Sequence, residues 1–300
     1  FKEGSLFEMT IKRNQSLCGQ VIVVGNCDNH SLSREVMENN KVDYIDIVEA
    51  TPRNTAAAIA FAAFAAQPDD ILIVTPSDHV IVGEKEYADA IKAGIEKANK
   101  GYIVTFGIHP TRPETGYGYI EYKDDKVLSF REKPNQDTAE DFIERGNFLW
   151  NSGMFCFRAD TFLSELQNFE PRVYATAFNA WQHRQDGELD LALSKEIPSI
   201  SIDYAVMERS KKIRVVATSF QWSDLGSFES MYDYLKQTGH PVDENGNMVI
   251  GTDVYTAFVG LRDSILVHTK DAILVLQKEK SQDVKKIYNT LERHQSKLID

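Results

Sequence analysis

Along the first two thirds of the chain, short uninterrupted apolar runs alternate with longer stretches whose apolar positions recur at helical spacing. Gln20-Val21-Ile22-Val23-Val24-Gly25 reads as a buried strand, and residues 31–39 as a helix with Ser31 as its cap. Residues 44–48 predict a second strand. Thr51-Pro52 then opens an Ala-rich helix, since Pro suits a first helical position whose N–H has no partner anyway. Ile71-Leu72-Ile73-Val74 predicts a short strand, residues 84–100 an amphipathic helix with Tyr87, Ala90, Ile91, Ile95 and Ala98 on one face, and residues 102–108 a further strand. Strands without polar alternation, separated by helices, indicate a parallel sheet covered on both faces. Ligands of such sheets bind at the carboxyl ends of the strands, so the loops after Val48, Val74 and Ile108 are where a site is expected.

The pattern then changes. Residues 117–122, 127–132 and 148–157 are β-rich, with Asp124-Asp125 as a turn, and predict an antiparallel addition to the parallel sheet. Helices follow over residues 160–195, a strand over 213–218 and a helix over 227–236. Residues 240–247 are polar and hold Pro241 and Asn245-Gly246, which marks a boundary. The expected domains are residues 1–239 and a small β/α segment, residues 240–300. About sixty residues make a marginal independent core, so the segment packs on the main domain or on a second subunit, a homodimer being one expected assembly.

Composition narrows the chemistry. Lys plus Arg number 33 and Asp plus Glu 45, a formal charge of −12. Sequence-independent nucleic-acid binding needs a basic surface, so no nucleic-acid partner is expected. A protein this acidic handles phosphates with a few placed cations and a metal. Cys18, Cys27 and Cys156 are odd in number and lack CxxC spacing, which argues against a disulfide framework and a structural zinc, and for a reducing, cytoplasmic setting. The longest apolar stretch, residues 56–66, is too short to span a bilayer, and no membrane partner is expected. Serine-hydrolase, HExxH and dinucleotide-binding signatures are absent.

Several polar groups sit where that sheet would present them. Asp78, in Thr75-Pro76-Ser77-Asp78-His79, directly follows an apolar strand; it is either a hard oxygen ligand suited to Mg²⁺ or a turn cap. His79 reads as a structural hydrogen-bonder. Asp224, in Trp222-Ser223-Asp224-Leu225-Gly226-Ser227, is either a second carboxylate for the same cation or a cap together with Ser227. Gly116 and Gly118 flank Tyr117, permitting close approach of a ligand or a bulged strand start. Glu132 can accept from sugar hydroxyls and Lys133 can meet a phosphate, unless the pair is only a solvated strand end. Asn151-Ser152-Gly153 interrupts an apolar run and must be hydrogen-bonded, by a sugar or by backbone. Asp203 can cap a helix. Arg53-Asn54-Thr55 lies in a first helical turn, where polar groups can read a base or ribose.

The order of these segments is more specific than any one of them. Arg53-Asn54-Thr55-Ala56, Thr75-Pro76-Ser77-Asp78-His79, Thr115-Gly116-Tyr117-Gly118-Tyr119-Ile120, Glu132-Lys133-Pro134, Asn151-Ser152-Gly153-Met154, Ser201-Ile202-Asp203-Tyr204-Ala205 and the Trp222–Ser227 segment together resemble the bacterial mannose-1-phosphate guanylyltransferases over residues 1–239. The resemblance implies an α/β, Rossmann-like nucleotidyltransferase fold with a mixed, mostly parallel sheet and a small C-terminal segment. It implies the reaction GTP + mannose 1-phosphate → GDP-mannose + pyrophosphate, with Mg²⁺ as cofactor. Asp78 and Asp224 would hold the metal. Gly118, Glu132, Asn151 and Asp203 would line the sugar site, and Lys133 would bind the sugar phosphate. Asn54 and Thr55 would face the nucleoside, whereas Arg53 is assigned no contact. Two departures stand out. The family opens on a strand and a Gly-rich loop that cradles the triphosphate, and both are missing ahead of Phe1, so the chain as given is expected to be catalytically impaired. Glu49-Ala50-Thr51-Pro52 replaces the usual Pro-x-Gly before Arg53. The rival readings are a transferase of the same fold using another nucleotide or sugar, and a non-catalytic sugar-nucleotide-binding subunit.

Overall fold

The computed structural model describes residues 4–294, 296 and 298. The chain divides into two compact units, Phe1–Trp222 and Ser223–Asp300. The first contains, in order, α1 (Leu6–Gln15), β1 (Val21–Asn26), α2 (His30–Asn39), β2 (Tyr44–Glu49), α3 (Asn54–Ala65), β3 (Ile71–Val74), β4 (Val80–Val82), α4 (Glu84–Ala98), β5 (Ile103–Ile108), β6 (Tyr119–Lys123) and β7 (Lys126–Arg131). It continues with α5 (Gln136–Arg145), β8 (Phe148–Arg158), α6 (Ala159–Phe169), α7 (Pro171–Gln182), α8 (Leu191–Glu196), a π-helical turn over Asp203–Met207, β9 (Ile213–Thr218) and β10 (Gln221–Ser223), within which the unit ends.

Six strands form the main sheet in the order β3-β8-β5-β9-β7-β6. It is mixed. β3, β5 and β9 run the same way, β5 and β9 as direct parallel neighbours, while β8 lies antiparallel between β3 and β5. β1 and β2 form a separate parallel pair. Alternate side chains of β5 serve two cores, as a period of two dictates. Ile103 packs with Phe157, Phe162 and the alanines of α3, whereas Val104 and Phe106 pack with Tyr87, Ile91 and Cys156 on the other face. α3 is apolar nearly all round and buries Ala56, Ala57, Ile59, Ala60, Phe61 and Ala63, as a helix without a polar face must.

The helices differ from expectation at their ends. α3 begins at Asn54, with Pro52 ahead of the helix rather than at its first position. α2 begins at His30 with Asn29 at the cap position, so Ser31 is not the cap. Ser227 does cap the following helix, accepting from the Ser230 N–H. α1 and α5 are helices that the pattern above does not predict. Side-chain caps, Ser5 for α1 and Asn135 for α5, help define their starts.

The second unit contains α9 (Phe228–Gln237), β11 (Met248–Ile250), β12 (Ser264–His268), β13 (Ile273–Gln277), a 3₁₀ turn over Lys278–Asp283 and α10 (Val284–Arg293). Its strands form one sheet in the order β11-β12-β13, around Tyr232, Met248 and Ile265. Among the described residues no helix is long and apolar enough to cross a membrane.

Gly107 shows how tightly the main sheet is packed. A Cβ there would stand 2.6 Å from Leu149 Cδ1 and 2.8 Å from Leu149 Cβ, with Val215 Cγ2 at 3.1 Å. Gly107→Ala is therefore expected to destabilise the first unit by about 1–3 kcal/mol, the usual range for overpacking. Urea unfolding measures this, and an unchanged midpoint would contradict it.

Candidate functional site

The site is built on an irregularity in β8. Thr105 of β5 pairs with Phe155, but Gly107 pairs with Asn151, so β8 carries extra residues there. Gly153 sits in that bulge at φ 70°, a left-handed conformation natural to glycine. Ser152 donates to the Phe106 carbonyl at 2.7 Å and accepts from the Met154 N–H at 3.2 Å. The polar residues of this apolar strand are thus satisfied by protein groups. A bulge re-aims side chains, and here it presents Asn151.

Asn151 is held on every side. Its Oδ1 accepts from Thr105 Oγ1 at 3.3 Å and from the Gly153 N–H at 3.1 Å, while its Nδ2 donates to Asp203 Oδ1 at 3.1 Å. Its own N–H donates to the Gly118 carbonyl at 2.8 Å. Gly118 is needed for close approach: a Cβ there would lie 2.5 Å from Glu132 Oε2 and 3.4 Å from Asn151 Cβ. Lys133 follows in a left-handed conformation (φ 48°), with Nζ 3.7 Å from Glu132 Oε1. Its side chain is 65% exposed and that of Glu132 18%.

Asp203 does not cap a helix. It opens the π-helical turn, in which the Glu208 N–H reaches back five residues to the Asp203 carbonyl. Ser201 Oγ instead accepts from the Tyr204 N–H. The Asp203 carboxylate is left to face Asn151. Burial pushes its pKa up, opposed by hydrogen bonds from Ser201 and Asn151 and by the Lys133 charge. Glu132 is raised as well, first by burial and then by the charge of Asp203, with Lys133 opposing. Two carboxylates that resist ionisation beside one exposed ammonium make a site suited to hydroxyl groups and an anion on the Lys133 side.

Asn54 and Thr55 begin α3. Asn54 is left-handed (φ 69°) and its Oδ1 accepts from the Thr55 N–H. Thr55 Oγ1 accepts from the Ile202 N–H at 2.9 Å, tying α3 to the turn that carries Asp203. Arg53 Nε donates to the Ile197 carbonyl at 2.6 Å, so its guanidinium has a structural task. Thr55, Pro76, His79, Gly153 and Asp203 border one cavity of about 860 Å³. Its walls are Ile22 and Val24 of β1 and all four residues of β3, with Ala58, Ile59 and Ala62 of α3 also lining it. Asp78 and His79 follow β3; the Asp78 side chain is 72% exposed and its Oδ1 lies 3.7 Å from His79 Nε2. Asp224 belongs to the second unit, where its Oδ1 accepts from the Gly226 N–H at 3.0 Å.

Comparison with known proteins gives the family. The Nucleotidyl transferase family description matches residues 1–240, and that of the MannoseP isomerase/GMP-like beta-helix domain matches residues 241–291. The chain belongs to the nucleotidyl transferase family. Among its curated relatives is mannose-1-phosphate guanylyltransferase RfbM of Salmonella typhimurium, 38% identical over 97% of this chain and 66% of the relative. Another is mannose-1-phosphate guanylyltransferase 2 of Escherichia coli O157:H7, 38% identical over 98% of this chain and 68% of the relative. The chain thus spans about two thirds of the length of these relatives. A crystal structure from Thermus thermophilus, described as a mannose-1-phosphate geranyltransferase, superposes with a TM-score of 0.83 at 26% identity, covering 97% of this chain and 90% of that one.

Nucleotidyl transferases of this family work with a divalent metal, and this chain's donors fit one of a particular kind. Among the described residues no three His, Cys, Asp or Glu side chains gather as a metal cage. Mg²⁺ needs no such cage: it keeps several waters and is held by one or two carboxylates plus substrate phosphates. An exposed carboxylate such as Asp78 suits that mode. Thr105, which anchors Asn151, was not singled out from the sequence. Its signal was a polar side chain in an otherwise apolar buried strand, a group that must find a partner.

The raised pKa of Asp203 has a signed consequence. Between the ordinary aspartate value of 3.8 and its raised value, the folded chain holds more protons than the unfolded one, so stability falls as pH rises through that window. Asp203→Asn removes the ionisation and keeps the acceptor for Asn151. Its Tm is expected to exceed that of the parent chain at neutral pH, with the gain shrinking below the ordinary aspartate value. A variant less stable than the parent at every pH would overturn this.

Proposed function

We propose that the chain transfers a guanylyl group from GTP to mannose 1-phosphate, yielding GDP-mannose and pyrophosphate. The observation that carries this reading is the Gly118–Glu132–Asn151–Asp203 cluster: acceptors and an amide fixed for hydroxyl groups, beside the exposed Lys133, in a chain whose relatives bear that activity in their names. An oxygen of the sugar phosphate attacks the α-phosphorus of GTP in line. The new P–O bond forms as the bond from that phosphorus to the bridging oxygen of the β-phosphate breaks, and pyrophosphate leaves. A phosphomonoester has a second pKa of about 6, so the attacking oxygen is already ionised and no protein nucleophile is required.

The protein's task is placement and charge. Glu132, Asn151 and Asp203 hold the hexose through its hydroxyls, Gly118 lets the sugar come close to the backbone, and Lys133 offsets the sugar phosphate. Asn54 and Thr55 face the nucleoside at the positive end of α3; the Thr55 hydroxyl, already accepting from Ile202, keeps its proton to donate. Asp78 and, by the family resemblance, Asp224 are each candidate ligands of Mg²⁺, which when bound neutralises phosphate charge. We also read the 860 Å³ cavity as the seat of one further strand, the one the family places ahead of its Gly-rich loop. β1 and β3 each pair on one side only among the described strands, and both line the cavity.

Pyrophosphate release from GTP and mannose 1-phosphate, against a panel of other nucleotides and hexose phosphates and in a protein carrying the Gly-rich loop, tests the reading. Asp78→Ala and Asp224→Ala are each expected to lower turnover about a hundredfold, the scale of losing one preorganised charged group, with little change in Tm. Lys133→Ala is expected to raise the KM for mannose 1-phosphate about tenfold, as losing a charge-assisted hydrogen bond of about 1.5 kcal/mol would, and that for GTP less. Near-normal rates in both Asp variants would reject the metal assignment. For the cavity, an apolar peptide of about six residues is expected to raise the Tm with concentration, and a Pro-interrupted version to leave it unchanged; equal effects would remove the strand reading.

A further inference from the structure

Trp222 and His79 both lie in the first unit and make a contact that the proposed chemistry leaves unused. The Trp222 indole Nε1–H donates to His79 Nδ1 over 3.3 Å, with the rings perpendicular (89°) and their centroids 5.3 Å apart. An indole N–H is only a donor, so Nδ1 is the accepting nitrogen, and a neutral His79 ring carries its proton on Nε2. That same Nε2 faces Asp78 Oδ1 at 3.7 Å. The separation is longer than a hydrogen bond, and it brings the Nε2 side of the ring next to a carboxylate whose side chain is 72% exposed.

The imidazole is itself well fixed. It is 14% exposed, and the left-handed Gly153 lies against it: a Cβ on Gly153 would come 3.7 Å from His79 Cε1. Trp222 is met edge-on by Tyr117 at 5.1 Å, and Tyr117 by Trp150 at 5.2 Å. A chain of rings therefore runs from Trp150, the neighbour of Asn151, to the loop that carries Asp78. Such a chain links the cluster around Asn151 to the carboxylate through stiff side chains with defined contacts.

We infer that His79 is a positioning residue: with its tautomer set by Trp222, its Nε2–H restrains the Asp78 carboxylate and strengthens that carboxylate's hold on a divalent cation. The role rests on the reading of Asp78 as a metal ligand, but its first test needs neither metal nor turnover. Gln is the informative replacement, because its amide oxygen can accept from the indole while its NH₂ points at Asp78. Leu keeps bulk and loses both.

Nitrogen-15 NMR of the imidazoles at about pH 8 is expected to show His79 in the Nε2–H form, and Trp222→Phe to abolish that preference. The carbon-13 signal of the Asp78 carboxyl is expected to move in His79→Leu and to stay near its parent position in His79→Gln. An Nδ1–H ring in the parent chain, or an Asp78 signal indifferent to His79→Leu, would overturn the inference whether or not the protein is an active transferase. With Mg²⁺ and GTP together, calorimetry is expected to show about tenfold weaker binding for His79→Leu, the scale on which partners behind a metal ligand act, and less than about twofold for His79→Gln. Equal weakening in both would also count against it. No Mg²⁺–GTP binding by the parent protein would instead strike the nucleotidyl-transfer reading, leaving the NMR result to decide the role of His79.

Discussion

Asn151 donates from Nδ2 to Oδ1 of Asp203, and that contact spans two elements that local sequence does not bring together: the bulge of β8 and the π-helical turn before β9. Each end is over-determined. Thr105 and the Gly153 N–H fix the amide oxygen, so the NH₂ group points one way. Ser201 and Ile202 fix the turn, the latter through Thr55 at the head of α3. The cluster proposed to read the hexose is closed by this amide and carboxylate, and the helix end proposed to face the nucleoside is tied to the same turn through Thr55. A half-buried carboxylate costs stability, and here the cost is retained at a position where an acceptor for hydroxyl groups is wanted.

Electrostatics inside the cluster follow from that choice. Burial makes both Asp203 and Glu132 reluctant to ionise, the charge of Asp203 adds to that reluctance in Glu132, and Lys133 is the nearby cation that opposes it in both. Lys133 stands in a left-handed conformation that few non-glycine residues adopt, at the end of β7. Its ammonium is mostly exposed and stands 3.7 Å from Glu132, too far for a hydrogen bond. The net acidity of the chain does not conflict with phosphate chemistry, since a placed cation acts over a few ångströms and the wider field is screened by salt.

The strands were legible as short apolar runs between turn signals: residues 103–108, buried throughout, and residues 71–74, half-buried along the cavity, appear in the fold nearly as the pattern predicts. What escaped were features set by contacts distant in sequence. α1 and α5 are short and mostly polar. Pro52 and Ser31 looked like helix starts by local preference, yet the helices begin elsewhere because Arg53 bonds to Ile197 and Asn29 closes the turn after β1. Asp203 looked like a cap because Ser-Ile-Asp-Tyr suits one. The sequence does not show that Ser201 takes that task, nor that a turn with five-residue spacing follows. Gly118, Glu132, Asn151 and Asp203 were singled out by their motif order. The reason they converge, the β8 bulge, is visible in the sequence only as a polar interruption of an apolar run.

The π-helical turn over Asp203–Met207 holds one residue more per turn than an α-helix would over the same span, and helical residues are spaced by about 100° around their axis. Excising a single position between Asp203 and Met207 would let the segment relax to ordinary helical winding, with the residues after it kept near their places and the side chains within the turn, that of Asp203 among them, re-aimed. The surrounding sheet could survive such a loss while the carboxylate swung off its amide. One codon thus separates a chain that holds this amide and carboxylate together from a stably folded one that does not.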